Sequence, residues 1–333
     1  DALMLARWLQ RSWFQRRLSP ALCLLLPLSG LFAAGVARNR RTAGERLPVP
    51  VVVVGNITVG GAGKTPLTIA LARAMAAAGR RPGIVSRGHG GDNARPRPVN
   101  ADSIPAECGD EPLLIARRTG LPVWIGRDRV AAARALLAAH PEVDVILCDD
   151  GLQHYRLGRD VEIAVFDGRG AGNGRLLPAG PLREPLARLA AVDAVVCQDS
   201  PELAVPAGVP RFAMRLVPGT FYRLGDATRT CAAADLAGRP LHALAGIGDP
   251  DRFFRTLGAL GLEVTRHPFP DHHAYVAADL DFGPDAVLLM TEKDAVKCAG
   301  LTAGEAWVLP VEAELPPALI ELVLEKIRGR QAA

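Results

Sequence analysis

Residues 51–65 read Val-Val-Val-Val-Gly-Asn-Ile-Thr-Val-Gly-Gly-Ala-Gly-Lys-Thr. Four β-branched apolar residues in a row suit a strand covered on both faces, as in a parallel sheet. The glycines leave backbone N–H groups free to wrap phosphate oxygens at a helix start. In this reading Thr58, Gly60, Gly61, Ala62, Gly63, Lys64 and Thr65 form a nucleotide-binding loop. Lys64 would reach the β- and γ-phosphates of ATP, and the Thr65 hydroxyl would bind Mg2+. A helix is predicted from about residue 66 to 78, with Pro66 in a first turn that tolerates it. The common pattern G-x-x-x-x-G-K-[ST] wants Gly where this chain has Thr58, which leaves the G-G-x-G-K-T variant. The bland alternative is a glycine-rich turn that binds nothing.

The chain has 333 residues, and a chain near 300 residues buries roughly three-quarters of its unfolded surface, enough for two domains. Its formal charge of +4 is mildly basic, and arginines gather near the N-terminus at Arg7, Arg11, Arg16, Arg17, Arg38, Arg40 and Arg41. A basic block beside an apolar segment suggests an anionic membrane surface. No nucleic-acid motif stands out, and no obligate protein partner is evident. Six scattered cysteines without a C-x-x-C pair read as reduced thiols.

Residues 18–37 hold no charge. A transmembrane helix needs about this length, but Pro20, Pro27, Gly30 and Gly35 weaken that reading. A secretory signal is suggested by Arg16-Arg17 ahead of the run, and conflicts with a loop that needs cytosolic nucleotide. A helix or helix pair in the membrane interface fits the basic residues at both ends and is preferred.

Downstream, strands and helices alternate. Strands are expected at 81–86, 122–125, 143–148, 161–166 and 194–197, and helices at 111–119, 128–139 and 185–190. The alternation predicts an α/β fold, a P-loop NTPase-like doubly wound and mostly parallel sheet with ligands at its C-terminal strand edges. Residues 92–106 read as loop. A second α/β unit is expected from strands at 241–245, 264–267, 286–291 and 307–311 and helices at 250–260 and 317–328. The expected organisation is a membrane-associated N-terminal helical segment at 1–45, a P-loop core at 46–210, a linker at 211–225, and a smaller C-terminal α/β domain at 226–333.

Asp149-Asp150 follows Val-Asp-Val-Ile-Leu-Cys, a hydrophobic strand ending in acid that suits a carboxylate in the Mg2+ shell. From here the motifs become specific. Asp149-Asp150-Gly151-Leu152-Gln153-His154 resembles the D-D-G-[LF]-Q-H motif of the tetraacyldisaccharide 4′-kinase family, the lipid A 4′-kinases. The loop from Gly55 to Pro66 resembles that family's G-N-x-x-x-G-G-x-G-K-T-P. Ser86-Arg87-Gly88-His89-Gly90 is similar to S-R-G-Y-G, with His89 in place of Tyr. Gly109-Asp110-Glu111-Pro112, the run Leu177 to Glu184, and Gly246-Ile247-Gly248-Asp249-Pro250 also match, the last with Asp249 for Asn. So do Phe269 to His273 and Thr291 to Ala295.

The resemblance implies transfer of the ATP γ-phosphate to the 4′-hydroxyl of a tetraacylated glucosamine disaccharide 1-phosphate, a lipid substrate. It implies work at the cytoplasmic face of the bacterial inner membrane. It makes Asp110 the general base, since the hydroxyl's proton must be accepted. His272 or its neighbour His273 would pair with that carboxylate, with His272 preferred. A helix N-cap is the alternative role for Asp110. Glu184 is expected to complete the metal shell beside Thr65, Asp149 and Asp150. Arg183 would stabilise the γ-phosphate or the substrate's 1-phosphate, and Arg87 would touch phosphate or substrate. Lys293 and Asp294 would touch nucleotide or cap a strand, and His154 would support the site from behind. Closing the cleft between domains would assemble the base and its histidine. Two rivals stand beside this. One is another G-G-x-G-K-T enzyme, such as an ATP-dependent ligase or amidase. The other is a membrane-tethered ATPase switch, a class that usually carries Lys where this chain has Val59.

Overall fold

A computed structural model describes residues 8–331 apart from 10, 16–17, 89–93, 200–202 and 302–303. His89 and Gly90 of the Ser-Arg-Gly motif, and Arg7, Arg16 and Arg17 of the basic block, lie outside the described residues. In chain order the first strands are β1 (Val51–Gly55), β2 (Pro82–Ser86), β3 (Arg97–Val99), β4 (Val123–Ile125) and β5 (Val145–Asp149). They are followed by β6 (Val161–Phe166), β7 (Ala194–Gln198) and β8 (Arg211–Pro218). Then come β9 (Phe221–Arg223), β10 (Asp226–Cys231), β11 (Leu241–Ala245), β12 (Thr265–Pro268), β13 (Val287–Thr291) and β14 (Glu305–Leu309). The last is β15 (Val311–Glu314). The longer helices are α1 (Leu26–Arg40), α2 (Lys64–Ala77), α3 (Asp110–Thr119), α4 (Arg129–Ala139), α5 (Pro250–Ala259), α6 (Glu292–Cys298) and α7 (Pro317–Gln331).

A nine-stranded sheet runs β15-β8-β7-β6-β1-β5-β2-β4-β3. It is parallel from β8 to β4 and antiparallel only at its two edges. Val52 and Val54 enter one apolar cluster with α2, α3 and α7, while Val51 and Val53 enter the cluster on the opposite face with α4. The four consecutive valines are thus a strand buried on both faces, with side chains alternating at period two. The doubly wound, mostly parallel sheet expected from the sequence is present.

Adjacent strands β1, β5 and β2 end together. Val54 lies opposite Asp149, and Val85 opposite Cys148. The glycine loop, the acid pair and Ser86-Arg87 therefore emerge side by side at one sheet edge, where open α/β sheets bind ligands.

A six-stranded sheet, β10-β9-β14-β13-β11-β12, forms the second α/β lobe. Its faces are covered by α5, through Phe253, Phe254 and Leu257, and by α6 with Tyr275.

Residues 211–225, expected as a linker, form instead the strand β8 of the first sheet and all of β9 of the second. Residues 311–331, expected in the second domain, return to the first. Strand β15 pairs with β8, and α7 buries Leu319, Val323 and Ile327 in the first lobe's core. The chain crosses between lobes twice at one place, where Gly219 N–H donates to Pro310 O at 2.9 Å. A strand that leaves one sheet and joins another carries the same alternating pattern throughout, so period alone cannot mark the change of partner. Residues 97–99, read as loop, form the short edge strand β3.

No described helix is long and apolar enough to cross a membrane. The apolar N-terminal run folds instead as a short helical turn, Pro20–Cys23, and α1. All six cysteines are free.

Because α7 completes the nucleotide-loop lobe, Ile327→Ala is expected to destabilise that lobe by about 2–5 kcal/mol. Urea unfolding should show the loss as an earlier midpoint, and an unchanged midpoint would mean α7 is dispensable to it.

Candidate active site

The glycine loop leads straight into α2. Gly63, the residue before the helix, has φ +83°, and Gly60 has φ +95°. These are left-handed conformations that cost a side chain strain. A Cβ at Gly63 would also lie 2.9 Å from Met214 Cε. Lys64 and Thr65 are buried at the first turn of α2. Lys64 Nζ lies 3.8 Å from Asp150 Oδ1.

Asp149 is fully buried at the end of β5. It accepts from Thr68 Oγ1 at 3.0 Å and from Ser86 Oγ at 3.5 Å. Burial, then the charges of Glu111 and Asp150, push its pKa well above the usual carboxylate value. Asp150 turns the chain with φ +50°. Burial works against its ionisation too, but Lys64, Arg183 and Arg129 outweigh it and hold its pKa low. Arg183 Nη1 donates to both Asp150 oxygens, at 3.2 and 3.4 Å.

The loop at 176–184 straps the glycine loop from outside. Val59 N–H donates to Pro181 O at 2.8 Å, Arg183 N–H donates to Ile57 O at 2.6 Å, and Thr58 pairs with Leu182. The strap is in turn tied to the N-terminal segment, since Trp13 Nε1 donates to Pro178 O and Ser29 Oγ to Leu176 O, each at 2.9 Å. Glu184 is 1% exposed. Its described partners are Gln153 Nε2 at 2.9 Å, the Tyr155 hydroxyl and Arg188 Nε at 3.5 Å.

Asp110 opens α3 and is buried. His272 reaches it from the second lobe, with Nδ1 3.1 Å from both carboxylate oxygens. Burial opposes the Asp110 charge, yet the His272 hydrogen bond and the Lys293 charge overcome it and lower its pKa to about 2. The Asp110 hydrogen bond in turn raises the His272 pKa, against burial and Lys293. His273 points elsewhere, to Asp279 Oδ2 at 3.0 Å. The geometry thus separates the two histidines that the sequence left open.

A cavity of about 670 Å³ joins these parts. Lys64, Asp150, Arg183, Glu184, Arg87, Asp110 and His272 line it, and Phe32, Val36 and Asn39 of α1 close another wall. A second cavity of about 620 Å³ shares Gly61, Lys64 and Glu111 with the first and opens between the lobes, against Leu216, Ile247, Arg252 and Phe253. His154 faces away: it accepts from Arg129 N–H at 3.3 Å, and burial followed by the Arg129 charge lowers its pKa to about 4.

Several contributors were not singled out from the sequence: Thr68, Ser86, Gln153, Tyr155, Lys297 and the α1 wall. Of these, Ser86 and Gln153 lie inside motifs already quoted, and Lys297 follows Lys293 by four residues on one short helix. Among the described residues no group of three or more His, Cys, Asp or Glu side chains converges on a metal position.

Comparison with known proteins gives one consistent result. A family model described as Tetraacyldisaccharide-1-P 4'-kinase matches residues 21–328. A protein named tetraacyldisaccharide 4'-kinase from Dechloromonas aromatica is 65% identical over 99% of this chain and 100% of its own length. One of the same name from Chromobacterium violaceum is 54% identical over 97% and 99%. Among solved structures, the apo form of LpxK from Aquifex aeolicus in complex with ATP matches with a TM-score of 0.79 at 30% identity, covering 92% of this chain and 99% of that one. These matches set aside the ATPase switch and the ligase that the glycine loop alone left open. The chain belongs to the tetraacyldisaccharide-1-phosphate 4'-kinase family.

Proposed function

We propose that this protein transfers the γ-phosphate of ATP to the 4′-hydroxyl of a tetraacyldisaccharide 1-phosphate, a step of lipid A biosynthesis. The observation that carries the reading is the cavity in which Lys64, the Asp110–His272 pair and the apolar wall of α1 meet. Phosphate charge finds a buried lysine and a helix N-terminus there, a hydroxyl finds a carboxylate, and an acyl chain finds Phe32 and Val36.

The second cavity, between the lobes with Ile69, Leu216, Ile247 and Phe253 among its walls, suits the nucleoside, with the triphosphate running along Gly60 to Thr65 into the first. Asp110 takes the hydroxyl proton as the oxygen attacks. Its low proton affinity suits a loose phosphoryl-transfer transition state, in which positioning and charge outweigh early deprotonation. His272, its pKa raised by the hydrogen bond to Asp110, orients the carboxylate. Arg183, resting on Asp150, and Arg87 at the cavity wall supply positive charge toward the γ-phosphate or the acceptor's 1-phosphate.

The acids fit a divalent cation. Burial, then repulsion from Glu111 and Asp150, raises the Asp149 pKa, and a cation would relieve the repulsion. Thr65, Asp149 and Asp150, with Glu184 on the same cavity wall, would hold Mg2+, which would supply positive charge against the phosphates there.

The enzyme works at the cytoplasmic face of the inner membrane, with α1 lying in the interface. Leu24, Leu28 and Leu31 are 81%, 50% and 73% exposed, and Arg38, Arg40 and Arg41 follow them to meet anionic lipid headgroups.

Asp110→Ala should lower kcat by about 10²–10⁴-fold while ATP still binds. Labelled ATP, Mg2+ and detergent-dispersed acceptor test this, and full activity would remove Asp110 as the base. Lys64→Ala should abolish transfer in the same assay. Absence of any 4′-phosphorylated product from the unsubstituted protein would sink the functional reading.

Replacing Leu24, Leu28 and Leu31 together by Glu should weaken binding to phosphatidylglycerol vesicles at least about tenfold, since each fully buried leucine contributes about 1.5–3 kcal/mol. Activity on detergent-dispersed acceptor should survive. Unchanged co-sedimentation would mean these side chains do not enter the bilayer.

A further inference from the structure

Lys293, at the start of α6 in the second lobe, has no part in the reaction as described above. Its Nζ lies 3.0 Å from Glu111 Oε1, 3.1 Å from Asp271 Oδ1, 3.9 Å from Asp110 Oδ2 and 3.5 Å from His272 Nε2. Glu111 and Asp110 belong to α3 of the first lobe, and Asp271 to the loop that carries His272. The side chain is 17% exposed. One half-buried ammonium therefore meets three carboxylates from both sides of the cleft.

Lys297, one turn further along α6, behaves differently. It lies 3.9 Å from Asp110 Oδ2 but is anchored 3.2 Å from Asp294 Oδ1 within its own lobe. Asp294 is itself buried and held by Tyr275 Oη–H and Gly246 N–H. Lys297 thus belongs to the second lobe's interior, whereas Lys293 spans the two. The groups facing Asp110 are accordingly His272 on its loop, Lys293 and Lys297 on α6, and Glu111 beside it on α3, with Asp271 behind Lys293.

We infer that Lys293 is a positioning residue for the phosphoryl transfer. Its ammonium ties Asp110 and Glu111 of one lobe to Asp271 of the other, and so keeps His272 seated on Asp110. Without that charge, three carboxylates crowd one imidazole and push the lobes apart at the reacting edge. The inference rests on the reading of Asp110 as the base.

The test uses the full chain with Lys293→Met and Lys293→Arg. Transfer is measured with labelled ATP and detergent-dispersed tetraacyldisaccharide 1-phosphate. The His272 ring is titrated by NMR, its signal assigned by loss in His272→Gln. In Lys293→Met, kcat should fall roughly 10–100-fold, as a small misplacement of reacting groups does, with KM for ATP unchanged. The His272 midpoint should move to lower pH, because the Asp110 hydrogen bond that raises it is lost as the lobes part, and this outweighs removal of the smaller Lys293 charge effect. Lys293→Arg should bring both values back toward the unsubstituted enzyme. Lys293→Gln gives the same reading if the Met variant does not fold.

Unchanged kcat or an unchanged His272 midpoint in the neutral variants would overturn the inference. So would a raised KM for ATP with kcat kept, which would place Lys293 on the nucleotide. Full activity in Asp110→Ala would instead remove the base itself. An inactive Asp110→Ala beside a fully active Lys293→Met would leave the base standing and remove only Lys293.

Discussion

Everything at this site follows from crowding acids at the carboxyl ends of neighbouring buried strands. Asp149 and Asp150 end β5, and Glu111 reaches the same edge from α3, where little water screens them. Like charges in such a place are unfavourable unless cations answer them. Lys64 at the head of α2 and Arg183 on the strap answer Asp150. Asp149 is left with hydrogen bonds and a raised pKa. The edge is therefore arranged to receive positive charge and, beside it at the glycine loop, phosphate.

The second lobe completes the site from across a cleft, and electrostatics again does the joining. Arg118 of α3 pairs with Glu292 of α6, and Arg252 of α5 donates to Gln198 of β7 at 3.0 Å. His272 on Asp110 belongs to the same set of contacts. These polar contacts sit next to the double chain crossing at Gly219 and Pro310, so the lobes are linked by two short strand connections and a layer of ions. Such an interface is easier to open than an apolar one of equal area, which suits a cleft that admits a nucleotide and a lipid. The N-terminal segment adds a third wall, stitched through Trp13 and Ser29 to the strap that holds the glycine loop. The N-terminal segment, the strap and the phosphate loop are thus mechanically continuous.

Much of the first lobe was legible before any coordinates. The valine run, the Gly63-Lys64-Thr65 turn and the acid-terminated β5 each carry local signals that physics ties to one conformation. The destinations of residues 211–225 and 311–331 were not legible, because a strand's alternation says that it is covered and not by which sheet. The N-terminal run was legible as apolar. Its break into a short turn and α1 depended on Pro20, Pro27 and contacts to residues 176–179, far along the chain.

By itself the sequence determined a phosphate-binding loop on a buried parallel strand, an acid pair in phase with it and the motifs of a lipid kinase family. Those are properties of consecutive residues, whose backbone preferences and spacing act locally. Only the tertiary structure decided that His272 and not His273 meets Asp110, that Glu184 turns to Gln153 and Tyr155, that Lys293 bridges the lobes, and that α1 walls the cavity. Each of these depends on where a distant chain segment lands, and that is set by packing two sheets against each other and neutralising the charges caught between them.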